Sequence, residues 1–161
     1  MSKQPRIAVY SGTFDPFTLG HEDVARRSAA LFDQLIIGVA LAHHKNAFFS
    51  LQERVSLVQA ATKTIANVKV LPFEGLLVDF CLEHQACVVV RGVRHVTDFD
   101  YEAQLSAMNR KLNPNLETVF LLPGTDVQCI SSTLVREVSA LGGDVSALVN
   151  LTVAQALAKK R

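Results

Sequence analysis

Ser11-Gly-Thr-Phe-Asp-Pro-Phe-Thr-Leu-Gly-His21 is the stretch that decides the fold of this chain. It follows a short apolar run at residues 7–10 and precedes a helical pattern, so it predicts a strand that breaks at Gly12 and turns into a helix. Glycine lets the backbone approach a ligand closely, and a helix start offers unpaired N–H groups at the positive end of its dipole. Thr18 and His21 are three residues apart, so they share a face if both lie on the first turn. The pattern predicts a phosphate-binding turn.

The same residues also fit a tight turn with a capping threonine and a surface histidine. The stretch is neither a Walker A loop, which needs Gly-Lys-Ser/Thr, nor a Gly-x-Gly-x-x-Gly turn. Thr18-Leu19-Gly20-His21 resembles the (H/T)xGH signature of the nucleotidylyltransferase superfamily. We favour the functional interpretation, because Gly-Thr-Phe-Asp-Pro directly precedes this signature.

Composition predicts a single folded domain over residues 1–161 that binds neither nucleic acid nor a membrane. Hydrophobic residues make up 49% of the chain and charged residues 19%, which is typical of a globular protein. The net charge of +1 argues against nucleic acid, which usually requires a clustered basic surface. No apolar run approaches the roughly 20 residues of a membrane span, and the N-terminus lacks the apolar core of a signal peptide. We therefore expect a cytoplasmic protein.

The cysteines and histidines predict no metal site built by the protein. Cys81, Cys87 and Cys129 show no CxxC pairing, as expected for reduced thiols in the cytosol. His43 and His44 are adjacent, which is not the spacing of metal ligands.

Short apolar runs alternate with longer amphipathic ones along the chain. Five runs rich in Val, Ile and Leu are typical of parallel strands covered on both faces, at residues 7–10, 35–41, 68–72, 87–90 and 118–122. The stretches between and after them predict helices at residues 20–31, 51–64, 76–84, 99–112, 132–141 and about 152–160. Ser50 followed by Glu53 predicts a capping box. The fold class is α/β, with a doubly wound five-stranded parallel sheet.

The predicted topology brings the chemically suggestive side chains together. The carboxyl ends of parallel strands lie along one edge of the sheet, where ligands bind. The segments that follow the predicted strands are residues 12–21, 42–49, 73–77, 91–101 and 123–132. The sequence therefore predicts one site formed by five loops.

Arg91-Gly92-Val93-Arg94 follows the fourth predicted strand and resembles a clamp for phosphate, because guanidinium groups offer paired donors. The alternative is a surface turn whose arginines pair with Asp98, Asp100 or Glu102.

Two further loops are ambiguous when taken alone. Lys45 could follow charge between phosphates during transfer, although isolated loop lysines are usually only solvated. Ser131, Ser132 and Thr133 place three hydroxyls at a helix start, where they could hold a nucleotide phosphate or act only as caps.

Taken together, the motifs resemble one family over residues 10–148, the bacterial phosphopantetheine adenylyltransferases. The matching segments are GTFDPFTLGH, FDQLIIGVA, the Lys45 loop, SLQERVSL, NVKVLPFEGLLVDF, VVVRGVRHVTDFDYEAQLSAMNRKLNP, ETVFLLP and ISSTLVREV. RGVR, DFDYE, QxxxMNR and ISSTLV are specific in combination, whereas GTFDP alone is shared with cytidylyltransferases and mononucleotide adenylyltransferases.

The resemblance implies a Rossmann-like nucleotidylyltransferase fold and a reaction in which ATP and 4′-phosphopantetheine give dephospho-CoA and pyrophosphate. It implies His21 and Lys45 as catalytic residues, with Thr13, Lys45, Arg91 and the Leu77 backbone contacting 4′-phosphopantetheine. It implies an ATP site formed by Thr13, Phe14, His21, Gly92, Val93, Arg94, Glu102, Val127, Gln128, Cys129, Ile130, Ser131, Ser132 and Thr133. Mg²⁺ bound mainly through phosphates and water, feedback binding of CoA and a homohexamer are also implied.

Several positions depart from the commonest family pattern. Ser11 replaces a proline, Thr133 stands where a third serine is frequent, and residues 43–47 differ from the usual loop. Two other functions remain open. One is an adenylyltransferase for nicotinic acid or nicotinamide mononucleotide, and the other is a non-catalytic nucleotide sensor.

Overall fold

The computed structural model of the protein describes residues 5–41 and 46–160. Strands and helices alternate along most of the chain. They are β1 (Ile7–Gly12), α1 (Leu19–Leu31), β2 (Gln34–Ala40), α2 (Leu51–Thr62), β3 (Val68–Phe73), α3 (Leu77–Glu83), β4 (Val88–Gly92), α4 (Val96–Leu112), β5 (Glu117–Leu121), α5 (Ser132–Ala140) and α6 (Leu151–Ala158).

The five strands form one parallel sheet in the order β3-β2-β1-β4-β5. Val9 lies at the centre of the sheet, level with Ile36 of β2 and Val89 of β4. The order reverses at β1, which places the loop after β1 at the point where parallel sheets bind ligands. The doubly wound five-stranded parallel sheet expected from the sequence is confirmed.

Alternate residues of the strands face two separate cores, as the twofold repeat of a strand requires. Ala8 and Tyr10 pack in a core with residues of α1 and α2, including Val24 and Val58. Val9, on the opposite face, packs in a second core with residues of α3 and β4. A third cluster joins α5 and α6 to α2 and includes Phe49. Helices therefore cover both faces of the sheet.

The strands β1 and β4 extend two residues beyond their predicted ends. Ser11 and Gly12 pair with β2, and Arg91 and Gly92 pair with β5, so backbone hydrogen bonding continues into polar residues. The chain consequently turns after Gly12, and Arg91 is fixed on a strand instead of a loop.

Helix α4 begins three residues before its predicted start, at Val96 instead of Phe99. An Asp98 carboxylate oxygen accepts the backbone N–H of Arg94 at 3.2 Å, which supplies an acceptor at the helix start. The other helix ends lie within two residues of their predictions. The Ser50–Glu53 capping box is confirmed, and Ser131, one of the three hydroxyl residues expected at the next helix start, caps α5.

No helix within residues 5–41 and 46–160 is both long and apolar enough to cross a membrane.

Candidate active site

A cavity of about 560 Å³ opens at the carboxyl edge of the sheet, beside the turn between β1 and α1. The helices α1 and α5 both begin at this cavity, so their unpaired N–H groups and positive dipole ends favour an anion there. Residues from the loops after β1, β2, β4 and β5 line it, which is four of the five loops expected to converge there; the segment after β3 does not line it.

Most of the site residues expected from the sequence lie around this cavity. They are Thr13, Phe14, His21, Arg91, Gly92, Arg94, Glu102, Ile130, Ser131, Ser132 and Thr133. Leu77 lines a smaller neighbouring cavity of about 130 Å³ instead. Lys45, the second expected catalytic residue, lies outside the described residues.

Four expected ATP contacts lie behind or beside the cavity wall. Val93 is buried, and Val127 packs against the third core cluster. Cys129 is exposed and carries a free thiol. Gln128 donates from Nε2 to the carbonyl of Arg94 at 2.5 Å, which ties the loop after β5 to the turn after β4. None of these four side chains lines the cavity in the structure.

His21 is held in one tautomer by the start of α1. Thr18 is the N-cap residue, and its backbone N–H donates to His21 Nδ1 at 3.0 Å. The backbone N–H of His21 in turn donates to Thr18 Oγ1 at 3.4 Å, which completes a capping box with histidine in the place of glutamate. Because Nδ1 accepts a hydrogen bond, the neutral ring carries its proton on Nε2, the nitrogen left to donate to a ligand.

The protonation state of His21 follows from its surroundings. Loss of solvent around the ring, together with the nearby Arg94 and Arg91 guanidinium groups, lowers the pKa of His21 from 6.5 to about 4. At neutral pH, His21 is therefore an uncharged hydrogen-bond donor at the helix start.

The lowered pKa of His21 predicts a loss of stability in mild acid. Between pH 6.5 and about 4 the unfolded chain takes up a proton that the folded chain does not, so the free energy of unfolding falls as the pH is lowered. The fall contributed by His21 between pH 7 and pH 5 is up to about 2 kcal/mol. Urea unfolding at the two pH values measures it. His21→Gln keeps an acceptor for the cap without titrating, so it should show a smaller fall, and identical pH dependence in both proteins would contradict the assignment.

Aromatic rings enclose the buried side of His21. The ring of Phe14 lies edge-on to His21 with centroids 5.2 Å apart, and Phe17 stacks on it at 5.5 Å. Phe14 has a φ angle of +51°, a backbone conformation that is unfavourable outside glycine and that its packing must maintain. Gly12 allows this arrangement, because a Cβ atom there would lie 2.9 Å from the Phe14 ring. The aromatic residues of the turn therefore place His21 against the cavity.

Arg91 in β4 and Arg94 just after it combine both interpretations that the sequence left open. Glu102 binds Arg91 through two hydrogen bonds, at 2.6 Å to Nε and 2.5 Å to Nη2, while Arg91 Nη1 donates to the carbonyl of Ser11 at 2.7 Å. Arg94 pairs with Asp98 at 3.1 Å. Both guanidinium groups thus line the cavity while paired with a carboxylate, so they are oriented before any ligand arrives.

The hydroxyl groups of ISST have structural partners. Ser131 Oγ accepts the backbone N–H of Leu134 at 3.1 Å, as a cap does, and Ser132 Oγ donates to the carbonyl of Pro16 at 2.8 Å. The second contact fixes the start of α5 against the turn after β1. The backbone N–H groups at this helix start are therefore the groups that can donate hydrogen bonds to an anion.

Several cavity residues were missed by the sequence reasoning, chiefly Asp15, Asn46, Ala47, Tyr101 and Arg136. Arg136 donates to the backbone carbonyl of Asp15 and lies 3.9 Å from its carboxylate. One signal for it was available, since Arg136 lies one helical turn after Ser132 and Thr133. The other contacts depend on distant parts of the chain.

Comparison with known proteins assigns this architecture to a family. The family model for cytidylyltransferase-like proteins matches residues 9–138. The chain is 51% identical over 154 residues to a phosphopantetheine adenylyltransferase of Polynucleobacter necessarius and 53% identical to one of an Acidovorax species, covering 96% of this chain and 93% of each relative. A Vibrio parahaemolyticus structure, provisionally described as a nicotinate-nucleotide adenylyltransferase, superposes with a TM-score of 0.72 at 20% identity, over 96% of this chain and 92% of that one.

The sheet, the (H/T)xGH turn and the family match together define a nucleotidylyltransferase of the cytidylyltransferase-like class. Within that class, the chain belongs to the phosphopantetheine adenylyltransferase family. The similarity to the Vibrio structure shows the shared fold alone.

Proposed function

We propose that this chain transfers the adenylyl group of ATP to 4′-phosphopantetheine, giving dephospho-CoA and pyrophosphate in CoA biosynthesis. The observation that carries the proposal is the His21 site, a neutral imidazole at a helix start with Arg91 and Arg94 oriented across the same cavity. These groups can stabilise negative charge without acting as acids or bases. Family membership at about half identity supports the choice of acceptor.

The proposed ATP site lies on the side of the cavity formed after β4 and β5. Gly92 and Arg94 line one wall, and the start of α5 at Ser131–Thr133 lines another. The acceptor phosphate would contact Thr13 and Arg91, with Lys45 assigned from the family resemblance alone. Because the expected contacts of Val93, Val127, Gln128 and Cys129 do not come from cavity-lining side chains, we assign them to the backbone or to indirect support.

We assign the rest of the acceptor to the smaller cavity. Arg91 and Glu102 line both cavities, so a phosphate held at Arg91 can extend a chain from one cavity into the other. Leu77, Val89 and Leu105 make the smaller cavity largely apolar, while Ser106, Asn109 and Thr118 add polar groups. This lining suits an uncharged arm with amide groups.

The chemistry requires no catalytic base. An oxygen of the acceptor phosphate, already anionic, forms a bond to the α-phosphorus of ATP as the bond from that phosphorus to the pyrophosphate oxygen breaks. Catalysis then consists of aligning two anions and stabilising charge on the α-phosphoryl group. His21 Nε2–H supplies a donor to that charge, and the arginines reduce the repulsion between substrates.

We propose that Mg²⁺ enters the site with ATP. The described residues contain no group of three or more His, Cys, Asp or Glu side chains placed to hold a metal. Two cavity carboxylates, Asp98 and Glu102, already pair with arginines. Mg²⁺ bound through phosphates and water would neutralise phosphate charge.

Pyrophosphate release from Mg-ATP tests the proposed function, with 4′-phosphopantetheine, nicotinic acid mononucleotide and nicotinamide mononucleotide as alternative acceptors. We expect release only with 4′-phosphopantetheine. Release only with a mononucleotide would support adenylyl transfer but contradict 4′-phosphopantetheine as the acceptor. ATP binding without release from any acceptor would make the protein a nucleotide sensor.

We also propose that the protein assembles as a homohexamer in the cytoplasm. Helix α4 spans 17 residues, and none of them is buried. More than half of the surface is exposed at four of its large hydrophobic residues, Val96, Tyr101, Met108 and Leu112. An exposed apolar surface of this kind is typical of an interface between subunits. Sedimentation equilibrium should give six times the chain mass, and a monomer would contradict the assembly.

The three free thiols suit a reducing compartment, which cell fractionation would check.

A further inference from the structure

One wall of the main cavity is a short segment between β2 and α2, residues 46–50, which we call the strap. Asn46 and Ala47 line the cavity, whereas Phe49 is buried in the third core cluster. The strap contains no complete turn of helix and no strand, so its own backbone does not determine its position. Contacts from other parts of the chain must hold it.

Asp15 supplies two of those contacts. One carboxylate oxygen accepts the backbone N–H of Phe48 at 2.7 Å, and the other accepts that of Phe49 at 2.9 Å. Asp15 is only 8% exposed, so these charge-assisted hydrogen bonds form largely away from water. Arg136, 3.9 Å away, balances the buried charge. A side chain within the GTFDP turn therefore holds the strap by its amides.

The carbonyl groups of the strap are held by two cations. Arg54 Nε donates to the carbonyl of Phe49 at 3.1 Å, and its Nη1 donates to the carbonyl of Thr13 at 2.6 Å. Lys160, at the end of α6, donates to the carbonyl of Phe48 at 3.1 Å. Arg54 thus ties the strap to the same turn that carries Asp15.

We propose that Asp15 is a positioning residue that fixes the strap and thereby shapes the acceptor side of the cavity. Arg54 joins the strap to the backbone of Thr13, which we assign to the acceptor phosphate, so the strap borders the part of the cavity assigned to that phosphate. Asp15 acts through the backbone of Phe48 and Phe49. The assignment of the acceptor side rests on the proposed function, but the hydrogen bonds to the strap do not.

Asp15→Asn tests the proposal with little change in shape. An asparagine offers one acceptor oxygen and places N–H groups where the second oxygen was, so at least one strap amide loses its partner. Hydrogen exchange followed by NMR should become about tenfold faster at Phe48 and Phe49, with Val9 in the central strand unchanged. The KM for the acceptor should rise about tenfold, with the KM for ATP within about twofold. A merely less stable enzyme would lower the apparent kcat and leave both KM values unchanged.

Asp33→Asn is the matched control, because Asp33 also accepts a backbone N–H, from Arg6 at 2.7 Å, far from the cavity. It should change neither the strap amides nor either KM. Unchanged exchange at Phe48 and Phe49 in Asp15→Asn would overturn the proposal, as would equal changes in both KM values. If Asp15→Asn does not fold, hydrogen exchange in the wild-type protein tests the proposal. Unprotected amides at Phe48 and Phe49 in that protein would equally overturn the proposal. Failure of the proposed function appears separately, as no wild-type turnover with 4′-phosphopantetheine.

Discussion

His21→Ala is expected to lower kcat by about 100-fold to 1,000-fold, with little change in the KM of either substrate. The wild-type ring is uncharged and carries its proton on Nε2, because Thr18 donates to Nδ1 and because the pKa of His21 is lowered to about 4. A neutral donor gains most from charge that develops on the α-phosphoryl group during the reaction, so its loss acts on the transition state. Preorganised donors of this kind are worth several kcal/mol in other enzymes.

Steady-state pyrophosphate release measures this effect, with protein concentration corrected for the folded fraction. His84→Ala is the matched control, since His84 packs against Phe80 at 4.6 Å and does not line the cavity. It should retain wild-type kcat. A tenfold or larger rise in KM for His21→Ala with kcat preserved would show that the ring binds the ground state and would contradict the assigned role.

Arg54→Met is expected to lower the free energy of unfolding by about 3 to 5 kcal/mol. Arg54 is 1% exposed, and its guanidinium group donates to the carbonyls of Phe49, Thr13 and Ala40 at 3.1, 2.6 and 2.8 Å. Methionine has a similar length and fills the space, but it leaves buried carbonyl groups without donors and removes one of the two cations near Asp15. This loss would be a large fraction of the stability of an ordinary domain.

Urea unfolding at a fixed protein concentration measures this loss, because association would otherwise shift the apparent stability. Arg26→Met provides the comparison, since Arg26 is 64% exposed and pairs with Glu22 on the surface of α1. Its change should remain within about 0.5 kcal/mol. If Arg54→Met also changed the free energy of unfolding by no more than about 0.5 kcal/mol, water would be satisfying the three carbonyls and Arg54 would not be needed to hold them.

The sequence predicted the sheet because its information is local. The central strands are short runs of Val, Ile and Leu, a pattern typical of strands that are covered on both faces. Ser50 and Glu53, three residues apart, mark the start of a helix. The parallel order then required the loops to meet at one edge, so the location of the cavity followed without any contact being known. The fold and the family are confirmed, whereas the roles of the individual site residues remain predictions.

The missing parts of the site depend on distances that sequence spacing does not contain. Asp15 meets residues 33 and 34 positions away, and Arg54 meets Thr13 across 41 positions. Arg91 lines the cavity as expected, but it lies on a strand instead of a loop, because pairing with Phe120 extends β4 through a charged residue. In the same way, the sequence did not show that the side chains of Val93, Val127, Gln128 and Cys129 would not line the cavity.

The helix cap formed by His21 has a consequence for how this protein can change over time. In many enzymes the reacting group is a burden on the fold, and replacing it yields a more stable but inactive protein. Here the imidazole also closes the first turn of α1 by accepting from the main chain of Thr18, so the helix loses an acceptor when the ring is lost. Because that donor is a main-chain N–H, every amino acid except proline at position 18 would retain it. With the role proposed for His21, selection for a stable helix and selection for turnover act on the same side chain, and both oppose its replacement.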